Sequence, residues 1–351
     1  MNRHTAAATS TATVAARLTA VEMTTARQGM AGTIATLATH IYGENKRHGL
    51  LLAVEAYDLI KWETNPPPAI KHAIWQVLTT GTVMTTTGTL KMETAVMHNK
   101  KWVVIREADE TFRLLDLDAD NPSNGSLQIA IDEPLEILDA FVSSDEHWLA
   151  VRTKSNRAFL YDLTQSDFWR EPIVLTAESV IEQLLFSPNS GWLGTVGKDS
   201  HHVEVWQMQQ DGVSQKILLP PLGDGVGETA VSLANVTSMG FDFSGQWAAV
   251  GYADGTVALW DLHMVQRQTE IVPILLQTNG VTITAVSFAA NNEWLMATTQ
   301  QADGSPINYL WHLDIESLLK QACATAGGNF TDQEWENYFS PLPYHATCTG
   351  Y

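Results

Sequence analysis

Four aspartates, Asp109, Asp199, Asp254 and Asp303, stand in turns at equivalent places of a pattern that repeats along the chain. Carboxylates gathered at one mouth of a ring could supply the positioned acid and base that glycoside hydrolysis needs. Aspartate also closes tight turns by bonding its own backbone, and recurrence from repeat to repeat argues for that architectural use. Arg106, Arg152 and Lys198 fall near the same end of the second strand in three consecutive repeats. In a chain poor in basic residues they could make a positive rim for an acidic peptide. The plainer reading pairs them with neighbouring acids such as Glu107 and Asp199. Cys323, His345 and Cys348 offer three zinc-ligand types with one short spacing, a weaker signal than paired Cys-x-x-Cys motifs. Two buried structural thiols are the simpler expectation. The sequence contains no Gly-x-Ser-x-Gly elbow, no His-Glu-x-x-His and no Gly-x-x-x-x-Gly-Lys loop, so no catalytic residue, cofactor or metal is expected.

The pattern that positions these residues is a tryptophan repeat. Trp102, Trp148, Trp192, Trp247 and Trp294 recur at intervals of 46, 44, 55 and 47 residues. A β-rich stretch after each ends on a large apolar residue, Leu115, Tyr161, Trp206, Trp260 or Trp311, 13 to 17 residues on. A period of 40 to 50 residues carrying strand, turn and strand is the mark of propeller blades. The aromatic spacing tracks the strand pattern, so these rings are expected to pack between blades and not to bind a ligand.

Bulk properties narrow the partners. The formal charge of −19, from 20 Lys and Arg against 39 Asp and Glu, repels phosphate backbones and anionic membranes. With 45% apolar and 17% charged residues the chain can bury a substantial core. Two cysteines make no disulfide framework, which suggests a reducing, cytoplasmic setting. No apolar run is long enough to span a bilayer, and the first residues lack a signal-peptide core.

Residues 1–11 are small and polar and are expected to be disordered. Residues 12–80 read as a helical hairpin and linker. Val14, Leu18 and Val21, then Met30, Ile34, Leu37 and Ile41, mark one helix; Lys46 to Lys61 a second; Ala69 to Leu78 a short third. Asn65-Pro66-Pro67-Pro68 separates the last two. Leu50, Leu51, Leu52 and Tyr57 put apolar surface on more than one face of the second helix, which either packs fully or awaits a partner. Residues 81–313 carry five repeats, and the fifth lacks a fourth strand. The isolated β-branched stretch Thr82 to Thr87 is placed to supply it and so join the ends of the ring. Residues 314–351 read as a helical cap in which Thr331 and Glu334 make a capping box.

The third and fourth repeats resemble WD-repeat blades. The carrying residues are Phe-Ser-Pro-Asn-Ser-Gly-Trp at 186–192, Ala-Asp-Gly-Thr-Val-Ala-Leu-Trp-Asp-Leu at 253–262, and Tyr-Asp-Leu at 161–163. No repeat has the family's Gly-His dipeptide, which implies an absent or altered internal hydrogen-bond tetrad. The stretch Leu-Leu-Leu-Ala-Val-Glu-Ala-Tyr at 50–57 looks like the helical linker before propellers in bacterial STAND-type signalling NTPases. The stretch from Ala322-Cys323 through Asn329-Phe330-Thr331, Glu334-Trp335, Tyr338 and Pro343-Tyr344 to Thr347-Cys348 is similar to their C-terminal cap. The NTPase itself has no counterpart here.

The resulting expectation is a mainly β fold: a five-bladed WD-like β-propeller with an α-helical N-terminal segment and a short helical C-terminal cap. Its expected role is a non-catalytic interaction scaffold or sensor subunit of a bacterial defence or signalling complex, with a protein partner encoded nearby and no nucleic acid or membrane. Arg106, Arg152, Lys198, Tyr252, Leu51 and Tyr57 are its candidate partner-binding residues. A five-bladed propeller glycoside hydrolase using mouth carboxylates is the alternative.

Overall fold

The computed structural model describes residues 2–63, 66–87, 102–106, 112–116, 127–129, 136–165, 171–222, 234–266, 273–349 and 351. The chain divides into two compact units, one of Met1–Val83 with His312–Tyr351, the other of Met84–Trp311. The first unit opens with three helices, α1 (Asn2–Glu44), α2 (Lys46–Ile60) and α3 (Pro68–Gly81). Helix α1 includes residues 2–11, which the sequence reading leaves disordered; their alanines are the strongest helix formers. Asn45 alone separates α1 from α2 and caps the latter by accepting from the His48 amide. The two helices then lie so close that a Cβ on Gly49 would come within 2.5 Å of the Tyr42 Cα. Pro68 starts α3 at a position where its missing N–H costs nothing.

The second unit is a run of antiparallel sheets whose strands follow chain order. It begins with β1 (Met84–Thr87). The first sheet has β2 (Trp102–Arg106), β3 (Phe112–Asp116) and β4 (Leu127–Gln128). The second has β5 (Ile137–Val142), β6 (Trp148–Thr153), β7 (Arg157–Asp162) and β8 (Ile173–Thr176). The third has β9 (Ile181–Phe186), β10 (Trp192–Gly197), β11 (Val203–Gln209) and β12 (Gly212–Leu219). The fourth has β13 (Val236–Phe241), β14 (Trp247–Tyr252), β15 (Thr256–Asp261) and, after the short α4 (Leu262–Gln266), β16 (Ile274–Gln277). The fifth has β17 (Ile283–Phe288), β18 (Trp294–Gln300) and β19 (Pro306–His312), and β1 completes it by pairing antiparallel with β19, Met84 opposite Leu310 and Thr87 opposite Ile307. The sequence's first strand of repeat one (Thr94 to His98), the turn with Asp109 and most of the loop at 223–235 lie outside the described residues. The described sheets therefore do not form a closed ring.

Register repeats as faithfully as sequence spacing. Ala140, Leu184, Met239 and Val286 on the first strands face Val151, Thr195, Val250 and Ala297 on the second. Each of those first strands also carries a one-residue bulge near its start, at Leu138, Glu182, Thr237 and Thr284. A bulge at the same end of these four strands bends them alike.

The core sits between neighbouring sheets. Phe112 and Leu114 meet Leu149, Val151, Phe159 and Tyr161. Trp148 and Leu160 meet Leu184, Leu193 and Trp206. Trp192 and Val205 meet Met239, Phe241, Tyr252 and Trp260. Alternate residues of each strand thus face the sheet before and the sheet after, as the two-residue strand period requires. Each large aromatic so buried is worth roughly 3–5 kcal/mol against alanine.

The first unit closes with α5 (Ile315–Ala326) and α6 (Asp332–Phe339). Asp314 caps α5 by accepting from the Ser317 amide, and Thr331 with Glu334 forms the expected capping box on α6. Helices α1, α3 and α5 all contact α2, which buries every residue from Gly49 to Ala56. The several apolar faces read from Leu50, Leu51 and Leu52 are met by helices of the same unit.

Two turn glycines give a test. Gly255 and Gly304 both have left-handed φ, +86° and +84°, but only at Gly255 would a Cβ meet backbone, 2.9 Å from the Gly280 Cα. Alanine at either should cost about 1–2 kcal/mol for the left-handed backbone. Gly255→Ala should lose a further ~1–3 kcal/mol from overpacking, visible as a larger drop in thermal midpoint. Equal drops for the two variants would contradict the packing described.

Candidate interaction site

Two of the turn aspartates serve their own turns. Asp254 Oδ1 accepts from the Thr256 amide at 3.0 Å, and Asp303 Oδ1 accepts from the Ser305 amide and hydroxyl at 2.9 and 2.6 Å. The Ser305 hydroxyl and amide hold the Asp303 carboxyl below its ordinary range, the opposite of what a general acid needs. Asp199 is an exposed turn residue with φ +51°. Asp109 lies outside the described residues.

The candidate positive rim is not a set of free cations. Arg152 donates from Nε and Nη2 to the two Asp139 oxygens at 2.8 and 2.6 Å, and from Nη1 to the Ile181 carbonyl at 3.1 Å. Its fork therefore ties the second sheet to the third. Lys198 is exposed, with its amide bonded to the Val180 carbonyl. The Arg106 side chain lies outside the described residues, although its backbone ends β2 opposite Phe112. Tyr252 is 1% exposed, and burial, then Asp254, pushes its hydroxyl pKa up. Leu51 is fully buried in α2, and Tyr57 is half-buried with its hydroxyl raised by burial and by Glu316, Asp58 and Asp314. Leu51 and Tyr252 lack accessible surface because each fills the core of its own unit. Lys198 and Tyr57 keep some.

Sequence reasoning missed the polar stitching between sheets. Gln183 Nε2 donates to the Thr237 carbonyl at 2.9 Å, and the Val286 amide to Ser238 Oγ at 3.1 Å. At the opposite strand ends the Asp145 amide donates to Ser190 Oγ, Asn189 Nδ2 to the Ser244 carbonyl, and Trp192 Nε1 to the Gly245 carbonyl. Within three of the turns a side chain five residues before the tryptophan accepts its amide: Ser143 for Trp148, Ser187 for Trp192, Asp242 for Trp247. That spacing was a legible signal. In the fifth repeat Ala289, which carries no acceptor side chain, takes the place, and its amide donates to the Trp294 carbonyl.

The third sheet holds a buried chain of polar contacts. Trp206 Nε1 reaches Thr195 Oγ1, and Thr195 Oγ1 reaches Glu204, each at 3.4 Å. Glu204 is 3% exposed; its Oε1 accepts from the Glu178 amide at 2.9 Å and lies 3.0 Å from Lys216 Nζ. His202 pairs with Glu178 at 3.2 Å. Glu178, His202 and Glu204 bring ligand-type atoms within 4.8 Å of one another. Lys216 already supplies the compensating charge there and lies 5.0 Å over the Trp206 ring, so the cluster is an ion-pair network. The adjoining hollow has room for little more than a water molecule, far below the size of ligand clefts. In the fourth sheet Val250 stands where Thr195 does, and the buried Trp260 Nε1 has no hydrogen-bond partner.

In the helical unit the two cysteines are joined, Cys323 to Cys348 with Cα atoms 5.7 Å apart. This corrects the expectation of free thiols, and it removes both sulfur ligands of the weighed zinc site. The sequence separation of 25 gave no hint, because only the fold brings α5 to the closing segment. His345 Nε2 instead meets Glu55 Oε2 at 2.9 Å. Glu334 gathers Arg47 Nη1 at 2.8 Å and His48 Nε2 at 2.9 Å on one oxygen.

Comparison with known proteins agrees with the repeat reading. Residues 230–261 match the family model described as WD domain, G-beta repeat. A stretch of 119 residues, 34% of this chain, is 29% identical to the small ribosomal subunit protein RACK1y of Oryza sativa subsp. japonica, and spans about a third (32%) of that protein's length. Among solved structures, the β-propeller domain of Cps50 (Swd1) from Myceliophteria thermophila aligns over 62% of this chain and 65% of its own, at 16% identity and a TM-score of 0.43. That last likeness is too distant to carry an argument. Among the described residues no helix is long and apolar enough to cross a membrane.

Glu334 gives this region a pH signature. Bonds from the Thr331 amide, His48 and Arg47 hold its carboxyl at about 2, against an ordinary 4.5. A depressed carboxylate stabilises the fold fully above its unfolded value and loses that contribution as pH falls through the folded one. The thermal midpoint of the helical unit should therefore fall between pH 4.5 and about 2, and Glu334→Gln should start lower and flatten that window. An unchanged slope in the variant would contradict the assignment.

Proposed function

We propose that this chain is a non-catalytic interaction scaffold built on a five-bladed WD-like propeller. Proteins made of WD repeats generally serve as scaffolds for protein partners. The observation that carries the proposal is the use made of the turn carboxylates. Asp254 and Asp303 are bound into their own turns, so these repeated residues that could have done chemistry build a frame. Frames of this kind bind through positioned loops and not through the scaffold itself. Lys198, exposed beside the third sheet, and Tyr57 on α2 are the accessible candidates for partner contact.

The finer setting we propose is a subunit of a bacterial defence or signalling complex. Its partner would be encoded close by and would use the helical unit as anchor. The resemblance of residues 50–57 and 322–348 to STAND-type linker and cap supports that reading. Nothing favours the glycoside hydrolase alternative: Asp303 is held ionised, and no second carboxylate pairs with it among the described residues.

Affinity capture with the tagged full chain against proteins encoded in its gene neighbourhood tests this. At least one should be retained, and Lys198→Glu should weaken retention several-fold if an acidic surface docks there. Failure to retain any neighbour, together with glycan turnover lost in Asp254→Asn, would replace the scaffold by the hydrolase.

A further inference from the structure

Residues 340–349 cross the helical unit as a strap, and Tyr351 also reaches α2. Tyr344 donates its hydroxyl to the Phe330 carbonyl at 3.0 Å, and the Trp335 indole donates to the Leu342 carbonyl at 3.2 Å. His345 stacks edge-on against Trp335, with ring centroids 4.3 Å apart, and meets Glu55 on α2. Tyr351 donates to Asp58 Oδ1 at 2.6 Å, also on α2. Glu55 and Asp58 are three residues apart and share one face of that helix. Cys348 lies midway between the two residues that reach them, three positions from each. Its bond to Cys323 is a covalent cross-link from the strap to α5. The Cys348 amide adds a 2.7 Å bond to Asn329 Oδ1.

The two sulfurs are not equally placed. Cys323 is 7% exposed on the inner face of α5, while Cys348 is half-buried. A thiolate arriving from solvent therefore meets Cys348 first. Beneath the strap lies Glu55, 4% exposed, a carboxylate whose burial raises its pKa and whose Oε2 meets His345. A buried carboxylate that loses its partners favours a conformation that returns it to water.

We propose that Cys323–Cys348 is a redox latch that decides whether the strap covers the Glu55–Asp58 face of α2. The reductant is a dithiol. Its thiolate attacks the Cys348 sulfur, the S–S bond breaks, and Cys323 leaves as a thiolate that takes up a proton. The second thiol of the reductant then attacks the mixed disulfide, Cys348 leaves as a thiol, and the dithiol ends as its own disulfide. Two electrons and two protons pass to the protein. With the latch open, two single hydrogen bonds, from His345 and Tyr351, are left to hold the strap on α2. The strap then lifts, and α2 presents two carboxylates one turn apart. The inference stands on the helical unit alone and does not depend on the scaffold reading.

Hydrogen–deuterium exchange of the full chain, purified without reductant and after dithiothreitol, tests it. Peptides covering 46–60 and 340–351 should exchange several-fold faster after reduction, with peptides in 247–261 unchanged, and reoxidation should restore protection. Cys348→Ser should show the fast pattern without reductant. Should that variant fail to fold, the reduced and reoxidised wild type still decides. Equal exchange in both redox states, an increase spread over the whole chain, or two alkylatable thiols in the unreduced protein would each overturn the latch.

Discussion

Apolar side chains interleaved between successive sheets are the contact on which the rest of this structure depends. A lone four-stranded sheet buries one face at best. Here Trp148, Trp192 and Val205 reach one way while Leu149, Leu193 and Trp206 reach the other, so each middle sheet is covered on both faces. Everything else is fitted to that stack. The bulge on each of four first strands bends it in step with its neighbours, and the Arg152, Gln183 and Ser238 bonds fix the spacing at that end.

This dependence explains why residues that look chemical turn out to be structural. A strand end that must turn sharply needs a side chain able to accept backbone amides, and Asp254, Asp303, Ser187 and Asp242 all do so. Arg152 sits where a rim cation would, yet a carboxylate and a carbonyl of the adjoining sheet occupy its fork. A propeller-like frame makes its repeated positions architectural and leaves recognition to positions that do not repeat. The helical unit follows different rules. Its centre is α2, and its carboxylates Glu55, Asp58 and Glu334 are paired across long sequence distances with His345, Tyr351, Arg47 and His48.

Much of the sheet architecture could be read from the chain, because the tryptophan period and the strand period are local properties. Strands β5 to β15 start and end within a few residues of where Trp148, Trp192, Trp247 and their apolar followers put them. The isolated stretch before residue 88 pairs with β19, the sheet that lacked an outer strand. What escaped reading is what depends on the third dimension. Leu51 and Tyr252 fall on strongly apolar stretches, and their burial follows from neighbours distant in sequence. The Cys323–Cys348 bond and the Glu55–His345 pair join segments that only folding brings together. The two unlike repeats, with Val250 or Ala297 where the third has Thr195, show that a missing Gly-His dipeptide can be met in more than one way.

The chain supplies its own last strand, so that the fifth sheet is finished by residues that precede the first. Residue-resolved amide exchange across Met84–Thr87 in the full chain tests this most directly. Pairing with β19 predicts protection comparable to that of the paired amides in Ile307–Leu310. Exchange of Met84–Thr87 at the rate of an unstructured peptide, with β19 still protected, would contradict it.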